Sequence, residues 1–358
     1  MSYQIRKRAG ESAYMQLFLQ LRKDILSGVL PRGTKLPSKR TLAAELGISV
    51  ITVEHAYALL TDEGYTEAKA RSGFFVSFGG AALPAAPLPR AALEDMRAAD
   101  SAPEDFPFSV LARTMRRVLT EYDRRILIKS PNCGCLEFRA AISAWLGRSR
   151  GLNISPEQIV VGSGAEYLYG LIVQLLGRER LFALDDPSYE KICQIYALYG
   201  AKTQMLPMGE DGILSASLQQ CHAGVLHVTP FHSYPSGVTA SAAKRREYAA
   251  WAQENGAYIV EDDYDSEFAT AARQVETIFS LAPGHVIYLN TFSKLLAPSM
   301  RTGFMVLPQE LLADYEKKLG LISCTVPVYE QLVLASFLNE GHLERYVNQR
   351  KRKLRQKK

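Results

Sequence analysis

Short apolar runs at residues 159–161, 181–184, 225–228, 258–260 and 286–289 alternate with stretches of helical spacing, and this alternation limits the fold more than any other feature of the chain. These runs have the length of strands. Alternation with helices then gives an α/β fold with a mainly parallel sheet. Parallel strands bring their carboxyl ends to one edge, where α/β folds bind ligands. Each run here leads into polar or turn residues. The first leads into Gly162-Ser163-Gly164-Ala165-Glu166 and a helix, whose free N–H groups and dipole suit a phosphate. The second leads to Asp185-Asp186-Pro187-Ser188-Tyr189, which offers an aromatic ring, and the third to Thr229-Pro230 and a loop ending at Gly237. The fourth leads to Glu261-Asp262-Asp263-Tyr264-Asp265.

The fifth run is followed closely by Thr291-Phe292-Ser293-Lys294-Leu295-Leu296-Ala297-Pro298-Ser299-Met300-Arg301. A lysine just past a buried strand is poorly explained as a solvated charge when threonine, serine and arginine nearby are groups that grip phosphate oxygens. The combination suits pyridoxal phosphate, which needs an amine to carry its aldehyde and donors to hold its phosphate. Taken alone, the stretch also fits an ordinary exit from strand to loop.

At 358 residues, 47% hydrophobic and 22% charged, the chain has room for two or more soluble domains. No apolar run approaches the roughly 20 residues that span a bilayer, and the N-terminus lacks a signal-like apolar segment, so the chain reads as cytoplasmic and non-membrane. Cys133, Cys135, Cys193, Cys221 and Cys324 are odd in number and scattered, which suits reduced thiols; the single C-x-C gives no metal site. The net charge of +5 is concentrated in residues 1–71 and 350–358, which points to nucleic acid as partner of one part of the chain.

Met15, Phe18, Leu19, Ile25 and Leu26 recur at helical spacing from Tyr14 to about Ser27, with Gly28 as the stop. Ser38 can cap a second helix that ends at Gly47, and Ser49 a third. Residues 65–76 then read as a hairpin with Lys69 and Arg71 at its tip, so the outline is a winged helix-turn-helix. The string L-P-S-K-R-T-L-A-A-E-L-G-I-S-V-I-T-V-E-H-A-Y-A-L-L-T-D-E-G-Y resembles the DNA-binding domain of the GntR family. The resemblance implies that residues 1–78 read a double-stranded operator. It places Arg40 and Thr52 at the DNA, Ser49 at the start of the reading helix, Ser38 and Lys39 near phosphates, and Lys69 and Arg71 on the wing. Many relatives carry arginine at position 50; this chain has Val50, so Val50 or Ile51 is expected to touch a thymine methyl. A solvated helical face is the alternative reading of these charges.

Residues 79–103, rich in Ala and Pro, read as a linker, and 104–358 as the second domain. Lys294 with its neighbours, E-D-D-Y-D-S-E-F and D-D-P-S-Y, resemble a fold-type I pyridoxal-phosphate aminotransferase; joined to a GntR-type reader, this is the layout of the MocR/GabR regulators. The resemblance implies that Lys294 binds the cofactor covalently and that Asp262 faces the pyridine nitrogen. Asp263 is the competing choice, and the first aspartate of the pair is preferred because related domains use it. By the same resemblance Tyr264 bonds the ring hydroxyl and Tyr189 stacks on the ring. Ala165 and Glu166 by backbone amides, with Thr291, Ser293 and Arg301 by side chains, hold the phosphate. Tyr234 stands where aminotransferases place an asparagine. His227 reads as a core histidine and Trp145 and Trp251 as core, whereas His232 lies by the cofactor loop. Because the chain stops at Lys358 within a long helix from Gly341, the C-terminal lobe, with its carboxylate-fixing arginine, is expected to be missing. The expected protein is a dimeric regulator, paired through the second domain, that senses pyridoxal phosphate, an amino compound, or both. The alternatives are an aminotransferase with an accessory DNA-binding domain, and a cofactor-free remnant that only dimerises the reader.

Overall fold

The computed structural model describes residues 3, 5, 12–70, 72–78, 106–264, 266–268 and 276–356. Arg71, Asp265 and the linker at 79–103 lie outside them. The chain forms two compact units, Met1–Asp95 and Met96–Lys358.

The first unit contains α1 (Ala13–Leu26), α2 (Lys39–Leu46), α3 (Val50–Asp62), β1 (Thr66–Lys69) and β2 (Gly73–Val76). Its turns follow the local chemistry of the sequence. Ser38 accepts the Thr41 N–H at 3.1 Å to cap α2, Gly47 ends that helix at φ 64°, and Ser49 accepts the Thr52 N–H at 3.1 Å to cap α3. The apolar stripes of the three helices meet in a core that includes Leu17, Leu21, Leu42, Val53, Tyr57 and Leu60. The Tyr57 hydroxyl donates to the Pro37 carbonyl at 2.9 Å, which ties α3 to the turn before α2. β1 and β2 pair antiparallel from Thr66–Val76 to Lys69–Gly73 and form the wing.

The second unit is built on one sheet. Its strands are β3 (Ile159–Gly162), β4 (Leu181–Asp186), β5 (Lys202–Gly209), β6 (Gly212–Ile213), β7 (Val225–Val228), β8 (Tyr258–Asp262), β9 (Val286–Thr291) and β10 (Gly303–Val306). They lie in the order β3-β10-β9-β8-β7-β4-β5-β6. The ladders from β9 through β8, β7 and β4 to β5 are parallel, whereas β10 is antiparallel to both neighbours and β6 to β5. Strands β3, β4, β8 and β9 run one or two residues further than their apolar runs, so Gly162, Asp186, Asp262 and Thr291 stand at strand ends.

Apolar layers cover both faces. One contains residues of the helices Leu136–Arg150, Ala242–Asn255 and Val328–Asn339, and the other residues of Ala165–Leu176, Glu190–Leu198 and Leu312–Leu319. Alternation along β8 sends Val260 and Asp262 to the second layer and Glu261 to the first, with Asp263 following Glu261. Both Glu261 oxygens accept backbone N–H groups, from Ile278 at 2.9 Å and Phe279 at 2.8 Å, at the start of the helix Ile278–Leu281.

Asp263 enters a buried ionic cluster. Arg150, the last residue of the helix Leu136–Arg150, lies 2.7 Å from Asp263 and 3.2 Å from Glu267, and it also bonds Ser266. Tyr288 donates to Asp263 at 2.7 Å, and Asn290 to Glu267 at 2.9 Å. Burial opposes the Arg150 charge, but the two carboxylates outweigh it and hold the guanidinium ionised. Arg150→Met would strand both carboxylates, so the unit should lose about 3–5 kcal/mol at pH 8 and less at pH 5, below the value of about 7 to which burial pushes Glu267. Both tryptophans, Trp145 and Trp251, are buried in this unit, so denaturation followed by tryptophan fluorescence reads it alone. Unchanged stability at pH 8 would show that the cluster is not ionic.

Candidate cofactor pocket and nucleic-acid interface

At the carboxyl edge of β9, the start of the helix Ala165–Leu176 and the start of Glu190–Leu198 enclose a pocket of about 110 Å³. Ala165, Glu166, Tyr189, Thr291, Ser293 and Arg301, all expected to hold the cofactor, line it together with Tyr169, Lys191, Ile192 and Ile195. Gly164 makes this possible: it takes φ 92°, and a Cβ there would stand 3.1 Å from Arg301 Nη2. The Ser293 hydroxyl donates to the Met300 carbonyl at 2.6 Å, which closes the loop and brings Arg301 back to the pocket. Helix N–H groups, hydroxyls and two cations converge here, which is the donor set of an anion site.

Asp262 stands just below, 4% exposed at the end of β8. Its Oδ2 accepts the Tyr169 hydroxyl and lies 3.8 Å from His227 Nε2. His227 in turn shares a 2.6 Å hydrogen bond with the Tyr196 hydroxyl through Nδ1. The distance to Asp262 would allow an ion pair, but burial pushes His227 down to about 3, so the imidazole is neutral and the contact is not ionic. Burial pushes Asp262 up to about 7 against the lowering effect of the Tyr169 bond. Among the described residues neither Asp262 Oδ1 nor His227 Nε2, both buried, has a hydrogen-bond partner.

Two of these residues escape a reading of the sequence. His227 is a core histidine as expected, yet it also faces Asp262, because register across β7 and β8 puts both on one face. Tyr169 lies four residues past Ala165, one turn into the helix, and helical spacing from the predicted phosphate contact is the signal that could have found it.

Lys294 is not among the residues that line this pocket. Its helix, Phe292–Leu295, turns Phe292 and Leu295 into the core, which leaves the lysine side chain exposed with Nζ 6.0 Å from the Tyr264 ring centroid. The Tyr264 hydroxyl donates to the His232 carbonyl at 2.9 Å, and His232 adopts φ 56°, a region that non-glycine residues seldom enter. Tyr189 and Tyr234 meet edge to face with ring centroids 5.8 Å apart. Beneath this loop Asp185 accepts the Ser233 hydroxyl at 2.8 Å, and burial raises the carboxyl to about 6.

On the first unit Arg40 is exposed, as are Val50 and Ile51 at the start of α3. Ser38 and Ser49 spend their hydroxyls on helix caps, and the Thr52 hydroxyl is bonded to Ser49 at 2.8 Å. Lys39 pairs with Glu54 at 2.5 Å, and Lys69 pairs with Glu67 at 2.9 Å while lying 5.0 Å from the Phe75 ring centroid. Among the described residues no carboxylate pairs with Arg40, whereas Lys39 and Lys69 are each paired with one.

A winged helix joined to an aminotransferase-like α/β unit defines a DNA-binding regulator built on an enzyme fold. Residues 13–76 match the bacterial regulatory proteins of the gntR family, and 102–358 match aminotransferase class I and II. The chain is 32% identical to the uncharacterized HTH-type transcriptional regulator YdeL of Bacillus subtilis over 96% of its own length and 77% of that protein. It is 30% identical to the probable rhizopine catabolism regulatory protein MocR of Rhizobium meliloti, over 95% and 74% of the two chains. It is also similar to LysN, the α-aminoadipate aminotransferase of Thermus thermophilus, at TM-score 0.61 and 27% identity over 70% and 65% of the chains. The chain belongs to the GntR-family transcriptional regulators of the MocR type, whose second domain has the pyridoxal-phosphate aminotransferase fold. No helix among the described residues is long and apolar enough to cross a membrane.

The residues present fit that cofactor. A pyridinium N–H needs a buried carboxylate oxygen, and Asp262 Oδ1 is one without a partner. Without such a donor, a carboxyl raised from an unfolded value of about 3.9 stabilises the fold below that pH and loses the contribution as pH rises through about 7. In the cofactor-free protein, Asp262→Asn should therefore shrink the stability difference between pH 5 and pH 8 by on the order of 2 kcal/mol. Denaturation at the two pH values checks this, and an unaltered difference would mean that Asp262 does not titrate in this range.

Proposed function

We propose that this chain is a cytoplasmic, homodimeric DNA-binding regulator that senses pyridoxal phosphate and an amino compound through the pocket at the carboxyl edge of its sheet. The observation that carries this reading is the unpartnered, buried Asp262 Oδ1, a poor choice for a fold that only needs to dimerise. Pyridoxal phosphate supplies an aldehyde that condenses with amines and a ring that withdraws electrons once its nitrogen is protonated. Asp262 Oδ1 accepts the ring N–H, and Tyr169 fixes the carboxylate from the other oxygen. Asp263 is less suited to that role because it follows Glu261 onto the opposite face, where Arg150 pairs with its charge. Lys294 provides the amine, Tyr264 the hydroxyl beside the ring, and Tyr189 the stacking face. Ala165 and Glu166 through backbone N–H groups, with Thr291, Ser293 and Arg301, hold the phosphate. An amino compound that took the place of the Lys294 amine would give the unit a response to a small molecule.

Arg40 and Thr52, with Ser38, Lys39, Ser49, Lys69 and Arg71, face the operator in this reading. Val50 and Ile51 offer apolar contacts to thymine methyls. Pairing through the aminotransferase-like unit presents two readers to one duplex, which a single short reading helix needs for useful affinity.

Pyridoxal phosphate added to the protein should produce a visible absorption band that Lys294→Ala lacks, and borohydride should convert it to a covalent adduct. A band that survives in Lys294→Ala would remove this lysine from the role. In a gel shift on the DNA upstream of its own coding region, Arg40→Ala should weaken binding at least roughly tenfold and lower the salt dependence, while Lys294→Ala retains most affinity. Wild-type binding by Arg40→Ala would contradict the assignment.

A further inference from the structure

The anion pocket holds a cation that no reading of the sequence assigns. Lys191 follows Tyr189 by two residues in the first turn of the helix Glu190–Leu198, and it is bonded to the Glu166 carboxylate. The other oxygen of that carboxylate stands 4.0 Å from Arg301 Nη2. Glu166 thus spans two cations in the pocket that Thr291 and Ser293 also line.

We propose that Glu166 is a built-in counter-ion, that a phosphate monoester displaces its carboxylate from Lys191 and Arg301, and that Lys191 then becomes a phosphate ligand. The proposal deepens the reading above and rests on the phosphate of pyridoxal phosphate entering this pocket. Two observations favour exchange over a permanent ion pair. Lys191 and Glu166 side chains are 47% and 45% exposed, so the bond between them is weak and the carboxylate can swing to water. A phosphate dianion offers each cation more charge than the shared carboxylate does, and in fork geometry suited to Arg301. Glu166 keeps the empty pocket from holding two unneutralised cations and lowers its affinity for stray anions. Its backbone N–H still serves the phosphate, because only the side chain has to leave.

The test is a titration of the full-length chain with pyridoxal phosphate and, separately, with pyridoxal, which lacks the phosphate. Glu166→Gln should tighten pyridoxal phosphate about threefold to tenfold, and Lys191→Gln should weaken it by a similar factor, the scale of a partly exposed ion pair. Lys191→Arg should bind as wild type does. Pyridoxal should bind all four proteins equally, and inorganic phosphate should compete more strongly for pyridoxal phosphate in Glu166→Gln than in wild type. Unchanged affinity in Lys191→Gln, or equal shifts for the two ligands, would overturn the role of Lys191 while leaving the pocket reading intact. If wild type itself binds pyridoxal as tightly as pyridoxal phosphate, the pocket reading fails and this proposal falls with it.

Discussion

The second unit makes a costly choice beside its pocket, a carboxylate at the end of a central strand with an oxygen that no described residue satisfies. Asp262 is buried, Tyr169 occupies only one of its oxygens, and the nearby imidazole of His227 is held neutral by its own burial. A buried unpaired acceptor costs roughly 1–3 kcal/mol, which a fold without further purpose loses easily by substitution. In the proposed reading the same cost would be recovered as binding energy if a ring N–H bonded that oxygen. The surrounding tyrosines and histidine keep the carboxylate in place until then.

Its neighbour one residue on shows the contrast. Asp263 projects to the opposite face, where Arg150 and Tyr288 hold its Oδ2, while its Oδ1, like that of Asp262, is buried without a partner among the described residues. Strand alternation thus divides one acidic pair into a member paired with a cation and an open member that no described cation holds. The Arg150 cluster anchors the strand end from one face, so the open aspartate on the other is presented from a rigid element.

Much of this is legible in the sequence. The five apolar runs form strands β3, β4, β7, β8 and β9, and the caps at Ser38, Gly47 and Ser49 form as their residue types require. Six of the expected cofactor residues line one pocket: Thr291 ends β9, Ala165, Glu166, Tyr189 and Ser293 follow strand ends within a few residues, and Arg301 stands just before β10. Strands β5, β6 and β10 are not legible. β5 lies near the sheet edge and is largely exposed, so it carries no apolar run, and β10 follows the Arg301 loop so closely that its buried residues read as part of that loop. Tyr169, His227, Tyr196 and Lys191 escape notice because their significance lies in partners distant in sequence. The exposure of Lys294 is equally hidden, because a helix of four residues reverses the direction that a strand exit suggests.

A regulator of this kind needs its two chemistries linked, and linkage has a thermodynamic signature independent of any structural route. If cofactor binding changes operator affinity by some factor, operator binding must change cofactor affinity by the same factor. The direct measurement is the dissociation constant of pyridoxal phosphate for the full-length chain with and without saturating operator DNA, set beside the operator affinity with and without saturating pyridoxal phosphate. The account predicts that both ratios depart from one, equally and in the same direction. Ratios of one in both arms, with each ligand bound, would mean that the pocket does not inform the reader and would contradict the account.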